Sequence, residues 1–89
     1  MAQNQSISVG QDQSIDVTGN ETTTIHKDRS TSVTGGNETL EVKNTITISA
    51  GDDIVVKNKK ASITMAANGD ITIEGKQITI KGSADVIIN

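Results

Sequence analysis

A short apolar pattern recurs along almost the whole chain and limits its possible folds more than any other feature. Two residues separated by one residue form a pair, and eleven such pairs follow one another at steps of 6 to 9 residues, with a mean close to eight; both members are aliphatic in nine pairs, and Thr23 and Thr31 are the first members of the other two. Of the 23 Ile, Val, Leu and Met residues, 20 lie in these pairs, and only Met1, Val55 and Ile87 fall outside them. Internal repetition of this kind indicates a repeat architecture, so we take the octad as the unit of the fold.

The spacing within each pair predicts a short β-strand. A separation of two residues sends both side chains to one face of a strand, and the residue between them, which is mostly polar, to the other face. The connectors are rich in Gly, Asn and Asp, which favour turns. We call the aliphatic positions of the pairs the axial slots and predict that they face inward: Ile7, Val9, Ile15, Val17, Ile25, Val33, Leu40, Val42, Ile46, Ile48, Ile54, Val56, Ile63, Met65, Ile71, Ile73, Ile78, Ile80, Val86 and Ile88.

The amino-acid composition argues against a compact monomer and against several functions. The chain has 89 residues and lacks Phe, Tyr, Trp, Pro and Cys, so it has no aromatic core, no disulfide and no zinc–thiolate site. Its net charge of −3 argues against nucleic acid as a partner. β-branched residues dominate and favour strands over helices.

The octad length favours three chains over one. A single-chain β-helix needs three sides of about eight residues for each coil, so eleven steps would give fewer than four coils with open strand edges. If three chains intertwine, each step covers one side of a triangular prism. We therefore predict an all-β fold, an intertwined homotrimeric triple-stranded β-helix. Its single repeat domain spans residues 5–89 and has about eleven strands. Residues 1–6 are predicted to be a lead-in that is disordered or derived from cloning.

Several segments resemble a known family. The stretch Val17-Thr18-Gly19-Asn20-Glu21-Thr22 and its echo in residues 33–42 (VTGGNETLEV) have the form of a Val-x-Gly octad, and Ile73-Glu74-Gly75 and Ile80-Lys81-Gly82 repeat the apolar-x-Gly form. This pattern is similar to the C-terminal β-helical spikes of type VI secretion VgrG proteins and to the cell-puncturing spikes of tailed phages.

The resemblance implies a mechanical function. Such spikes are homotrimeric needles of contractile machines that pierce a target cell envelope, and they carry a PAAR-type tip protein or effectors. We therefore expect a non-enzymatic spike segment, part of a longer protein, that is assembled in the cytoplasm and delivered outside the cell or into a target cell. A phage tail spike, or a β-solenoid stalk or adhesin segment, is the alternative, and an enzyme ranks third. No cofactor is expected.

The C-terminal residues are predicted to dock a tip protein. Strand parity turns Val86 and Ile88 inward and Ile87 outward, and the apolar strand that ends at Asn89 has no neighbour on its distal side. An exposed strand edge beside apolar surface is a docking platform. Fraying of the end of the chain is the alternative interpretation.

Acidic and histidine side chains suggest metal sites, but their spacing does not support one. His26 follows the inward Ile25 and should face outward, so three copies would lie too far apart to share a metal. Some small phage spikes hold iron with a His-x-His motif, which this chain lacks. Asp12 and the pair Asp52-Asp53 lack the Asp-x-Asp-x-Asp spacing of calcium loops, so we interpret them as corner residues.

Two further surface features have a functional and a structural interpretation. The cluster Lys57-Asn58-Lys59-Lys60 could contact anionic lipid headgroups, although such lysines are usually solvated and also block edge pairing. Threonine occupies the outward middle position of four pairs, an arrangement that is reminiscent of ice-binding solenoids but too irregular for that function. We call these residues the partial threonine rank: Thr47, Thr64, Thr72 and Thr79.

Overall fold

The computed structural model describes residues 4–89, and the chain divides into two units, Met1–Thr39 and Leu40–Asn89. The first three residues of the predicted lead-in therefore lie outside the described residues. Each unit is considered by itself. Residues 4–89 contain no helix, and therefore no helix long and apolar enough to cross a membrane.

The first unit consists of segments without helix or strand, joined by regularly spaced bends. Over residues 4–39 the backbone bends at positions 10–11, 18–19, 26–27 and 35–36, and no strand forms. Each bend falls in a connector between two apolar pairs. Because a β-strand requires a hydrogen-bonded neighbour, extended segments without one are what a repeat of this kind produces in a single chain.

The second unit contains a three-stranded antiparallel sheet. Its strands are β1 (Ile54–Lys57), β2 (Ser62–Met65) and β3 (Ile71–Glu74), in the order β1-β2-β3, so β2 is central. The described chain is therefore all-β, as the octad predicts, and each strand coincides with one predicted apolar pair.

A four-residue loop closed by a side chain joins β1 to β2. The Asn58 carboxamide oxygen accepts hydrogen bonds from the backbone N–H groups of Lys60 and Ala61, both at 2.9 Å. The Asn58 N–H donates to the carbonyl oxygen of Ala61 at 3.1 Å. Asn therefore serves here as a local acceptor that replaces missing backbone partners.

The β2–β3 loop is a tight turn that requires glycine. The Gly69 N–H donates to the Ala66 carbonyl oxygen at 3.0 Å, and the Ala66 N–H donates to the backbone carbonyl oxygen of Asp70 at 2.8 Å. Gly69 has a φ of 98°, which residues with a Cβ rarely adopt. Asp53, just before β1, accepts a hydrogen bond from the Ala67 N–H at 3.0 Å and so ties this loop to the start of the sheet.

The direction of the strands differs from the predicted arrangement of successive prism sides. Three of the eleven predicted pairs form strands in the part of the chain that the structure describes, and these three pair with one another within the chain. The reason lies in the two loops, which reverse the chain where the sequence analysis expected corners. Assembly of three chains into a triple-stranded β-helix remains a prediction.

Candidate functional site: an uncovered apolar sheet face

The antiparallel register gathers six aliphatic side chains on one side of the sheet. The pairings Ile54↔Met65 and Met65↔Ile71 form one cross-strand row, and Val56↔Ile63 and Ile63↔Ile73 form the other. Directly opposed side chains on neighbouring strands contact each other, so the rows form one continuous patch. We call it the apolar face; its members are Ile54, Val56, Ile63, Met65, Ile71 and Ile73.

The apolar face is not covered by any described part of the chain. Val56 and Ile71 are 64% and 66% exposed, and the central residues Ile63 and Met65 are still 45% and 44% exposed. Only Ile54 is half-buried within this set. Together these side chains leave on the order of 500 Å² in water, at the upper end of the apolar patches of a soluble monomer.

The opposite side of the sheet is mixed and largely polar. Val55 pairs with Thr64, which pairs with Thr72, and Lys57 pairs with Ser62, which pairs with Glu74. We call this side the polar face. Thr64 and Thr72 are therefore neighbours, whereas Thr47 and Thr79 lie outside the strands. The partial threonine rank predicted from the sequence is thus reduced to one cross-strand pair within the described strands.

No residue among 4–89 is buried, including those in the axial slots of the first unit. The axial slots of that unit range from 45% exposure at Val17 to 74% at Ile15. In the second unit outside the sheet, Val42 is 44% exposed and Leu40 and Ile48 are each 71% exposed. Of the exposed large aliphatic side chains of the described residues, nearly all thus lie in axial slots.

The accessible surface of the chain gives the scale of this exposure. It is 9929 Å², whereas a folded monomer of 9.3 kDa exposes about 5,000 Å² and two separately folded halves about 6,000 Å². The excess is several thousand Å². A surface of that size means that the chain itself encloses few of its apolar side chains.

A groove of about 430 Å³ borders one end of the apolar face. It is lined by Val56, Ile63 and Ile73 of the sheet and by Ile78, which follows the bend at Lys76. A Cβ atom on Gly75 would lie 3.6 Å from the Ala61 Cβ and 4.0 Å from the Ile78 Cγ1, which is ordinary van der Waals contact, so both residues lie beside Gly75. The groove extends the apolar face toward Ile78.

The basic cluster lies at the β1–β2 loop. Lys57, Lys59 and Lys60 line a smaller depression of about 220 Å³ together with Ser62 and Glu74. Asn58 is occupied in holding the loop, as described above. Glu74 places a carboxylate beside the lysines, which reduces the attraction of this depression for anions.

The residues considered for metal binding do not come together. His26 lies at an exposed bend of the first unit. Among residues 4–89, no group of three or more His, Cys, Asp or Glu side chains is placed to hold a metal ion. Asp53, one of the calcium candidates, instead accepts the Ala67 N–H.

The predicted docking segment at residues 86–89 is exposed and forms neither a helix nor a strand. Val86, Ile87 and Ile88 are 51%, 76% and 89% exposed, and Asn89 is exposed as well. Just before it the chain makes a close approach at Gly82, where a Cβ atom would overlap the Asp85 carbonyl oxygen and lie 2.9 Å from the Val86 Cγ2.

The hairpin loops that build the sheet were not predicted from the sequence. The signal was present in Asn68-Gly69-Asp70, where Asn and Gly between two apolar pairs favour a chain reversal. Here the Asn68 carboxamide oxygen accepts a hydrogen bond from the Asp70 N–H at 3.1 Å, and the Asn68 Nδ2 donates to the Asp70 carboxylate at 3.2 Å.

No protein-family profile and no curated protein matches this chain.

Proposed function

We propose that this chain is the repeat segment of a homotrimeric spike, in which the axial slots of three copies form one shared core. The observation that carries the proposal is the uncovered apolar face, together with an accessible surface of 9929 Å². Half-exposed aliphatic side chains in regular register are stable only when further apolar surface covers them. Three identical chains supply that surface in equal amount.

The proposed role is mechanical and follows the resemblance to type VI secretion VgrG spikes. A rod of three chains around a dry aliphatic core is stiff, because separating it requires breaking contacts along the whole length at once. Such a rod, delivered by a contractile apparatus, would pierce a target envelope and carry a tip protein or effector. A phage tail spike uses the same physics and is the alternative, and a β-solenoid stalk is a second one.

The experiment that tests the trimer is a mass measurement in solution. Sedimentation equilibrium should give three times 9.3 kDa, about 28 kDa. A mass of a single chain at all concentrations would overturn the proposal. Ile71→Asp should abolish the trimer, because three carboxylates would be buried together. The matched control is Thr72→Asp, the next residue on the polar face, which should leave the mass unchanged.

The tip-docking proposal concerns residues 86–89. Ile87, 76% exposed and predicted to face outward, offers apolar contact without belonging to the trimer axis. A PAAR-type protein should bind the intact chain, and Ile87→Asp should weaken binding by roughly tenfold or more, since a buried aliphatic side chain contributes about 1.5–3 kcal/mol. Ser83→Asp, outside this segment, is the control. Failure of the intact trimer to bind would count against docking and leave the trimer itself standing.

A further inference from the structure

We propose that the β1–β3 sheet sets the register in which three copies of this chain associate, each apolar face being covered by the same face of the other two copies. The inference rests on the proposed trimer and adds a question that the trimer leaves open. A repeat protein must not only associate but also align identical positions of its chains.

The first unit offers little to define that alignment. Its pairs begin at Ile7, Ile15, Thr23 and Thr31, so every step is eight residues. Sliding one chain by an octad places Ile15 where Ile7 was, and the bends recur at nearly the same interval. Strands with such uniform patterns have weakly specified register and are prone to slip.

The sheet lacks this degeneracy. Its two loops contain four and five residues and are held by different groups, Asn58 in one and Gly69 with Asp53 in the other. A chain displaced by eight residues would place two strands and one segment without a strand, rather than all three strands, opposite the apolar face. Displacement therefore forfeits contact that aligned copies retain.

The sheet is also able to form before association. Its hydrogen bonds lie within one chain, unlike those that the extended segments still lack. A three-stranded sheet with an apolar face is near the minimum for independent stability and gains more when that face is covered. This order of events makes the sheet the first place where the chains can recognise one another.

The chemistry of the apolar face favours a second copy of the chain as its occupant. All six members are aliphatic, so identical faces meet without repulsion between like charges, and the two charged strand residues, Lys57 and Glu74, lie on the polar face. The area of about 500 Å² is less than the roughly 800 Å² that each partner buries in a stable complex. When the copies are aligned, contacts between the remaining axial slots supply the rest of this buried area.

Disulfide mapping tests the alignment directly, since the chain has no cysteine. Chains carrying Ile15→Cys and chains carrying Thr31→Cys are refolded together and oxidised, and the linked pairs are identified by mass. In aligned copies of the predicted prism, positions one octad apart on different chains are separated by about 4.8 Å, whereas positions two octads apart are separated by about 10 Å, beyond the reach of a disulfide, so 15–15 and 31–31 pairs are expected. A 15–31 pair reports a slip of one octad.

Loosening the sheet should raise the slipped fraction. Gly69→Val forces a β-branched residue into the φ of 98° and should increase 15–31 pairs at least tenfold. Gly51→Val is the matched control, because a Cβ atom there meets nothing within 4 Å and the backbone is not in the left-handed region. Gly69→Ala is measured in the same way, so that the fraction of slipped pairs can still be determined if Gly69→Val prevents assembly. For Gly69→Ala we expect a smaller rise in that fraction.

Three results separate the possibilities. Trimers of both Gly69 variants that contain only identical pairs would overturn the inference and leave the trimer intact. An equal rise of slipped pairs in Val17→Ala, which weakens the first unit, would also overturn it, because alignment would then follow general stability. If the parent chain is monomeric, or if another protein rather than a second copy covers the face, the proposed function fails first.

Discussion

Truncation of the most central side chain of the apolar face, Ile63→Ala, gives the sharpest measure of how much association depends on this surface. Ile63 lies in the central strand and has an aliphatic cross-strand neighbour on each side, Val56 and Ile73. In the single chain it is 45% exposed, so nearly half of its surface remains to be removed from water by partners.

The size of the effect follows from that exposed fraction. Full burial of an isoleucine side chain contributes about 1.5–3 kcal/mol, so the exposed part is worth about 1 kcal/mol in each chain. A cavity in the assembled core raises the loss toward about 3 kcal/mol. Over three chains the trimer should lose about 3–9 kcal/mol, which corresponds to a rise of roughly 10²- to 10⁶-fold in its dissociation constant.

Sedimentation equilibrium over a wide concentration range measures this constant. The control is Thr64→Ala, one residue further along the same strand but on the polar face, where we expect a change below about 1 kcal/mol. Similar effects of the two substitutions would refute the assignment of the two faces. A dissociation constant that Ile63→Ala leaves unchanged would refute the burial of the apolar face by partners.

Three further predictions concern the loops and bends. Gly69→Ala should lower the free energy of unfolding by about 1–2 kcal/mol and Gly51→Ala by less, because only Gly69 has a positive φ; urea denaturation measures both. Asn58→Ala should cost about 1 kcal/mol and speed amide hydrogen exchange in the β1–β2 loop, which loses a shared acceptor; unchanged exchange would contradict the role of this side chain. Gly82→Ala should displace the following residues, seen as changes in amide chemical shifts, because its Cβ atom would overlap the Asp85 carbonyl oxygen; an unchanged spectrum would disprove that close approach.

The all-β class of the chain could be predicted from the sequence, because apolar residues two positions apart lie on the same face only in a β-strand. The pairs Ile54/Val56, Ile63/Met65 and Ile71/Ile73 each fall within an observed strand, and the members of each pair share one face. Val55, the aliphatic residue that does not fit the pattern, lies on the polar face as its parity predicts.

The path of the chain between strands could not be predicted from the period. A corner and a hairpin both place the next pair about eight residues on, and both use Gly, Asn and Asp. Whether the chain forms a corner or a hairpin depends on single loop residues, here Asn58 and Gly69, which determine a few backbone dihedral angles in the loop. For the same reason, the sequence does not reveal which chain supplies the hydrogen-bonding partner of an extended segment such as residues 12–17.

The absence of any buried residue among positions 4–89 has a consequence for the life of the protein in a cell. If three copies associate as proposed, the stability of the protein depends on its own concentration. Newly made copies would therefore face proteases as long as their number is small, and would become resistant once enough had accumulated to associate. Synthesis rate would then set the yield of finished assemblies, and degradation would clear incomplete ones without a dedicated inspection step.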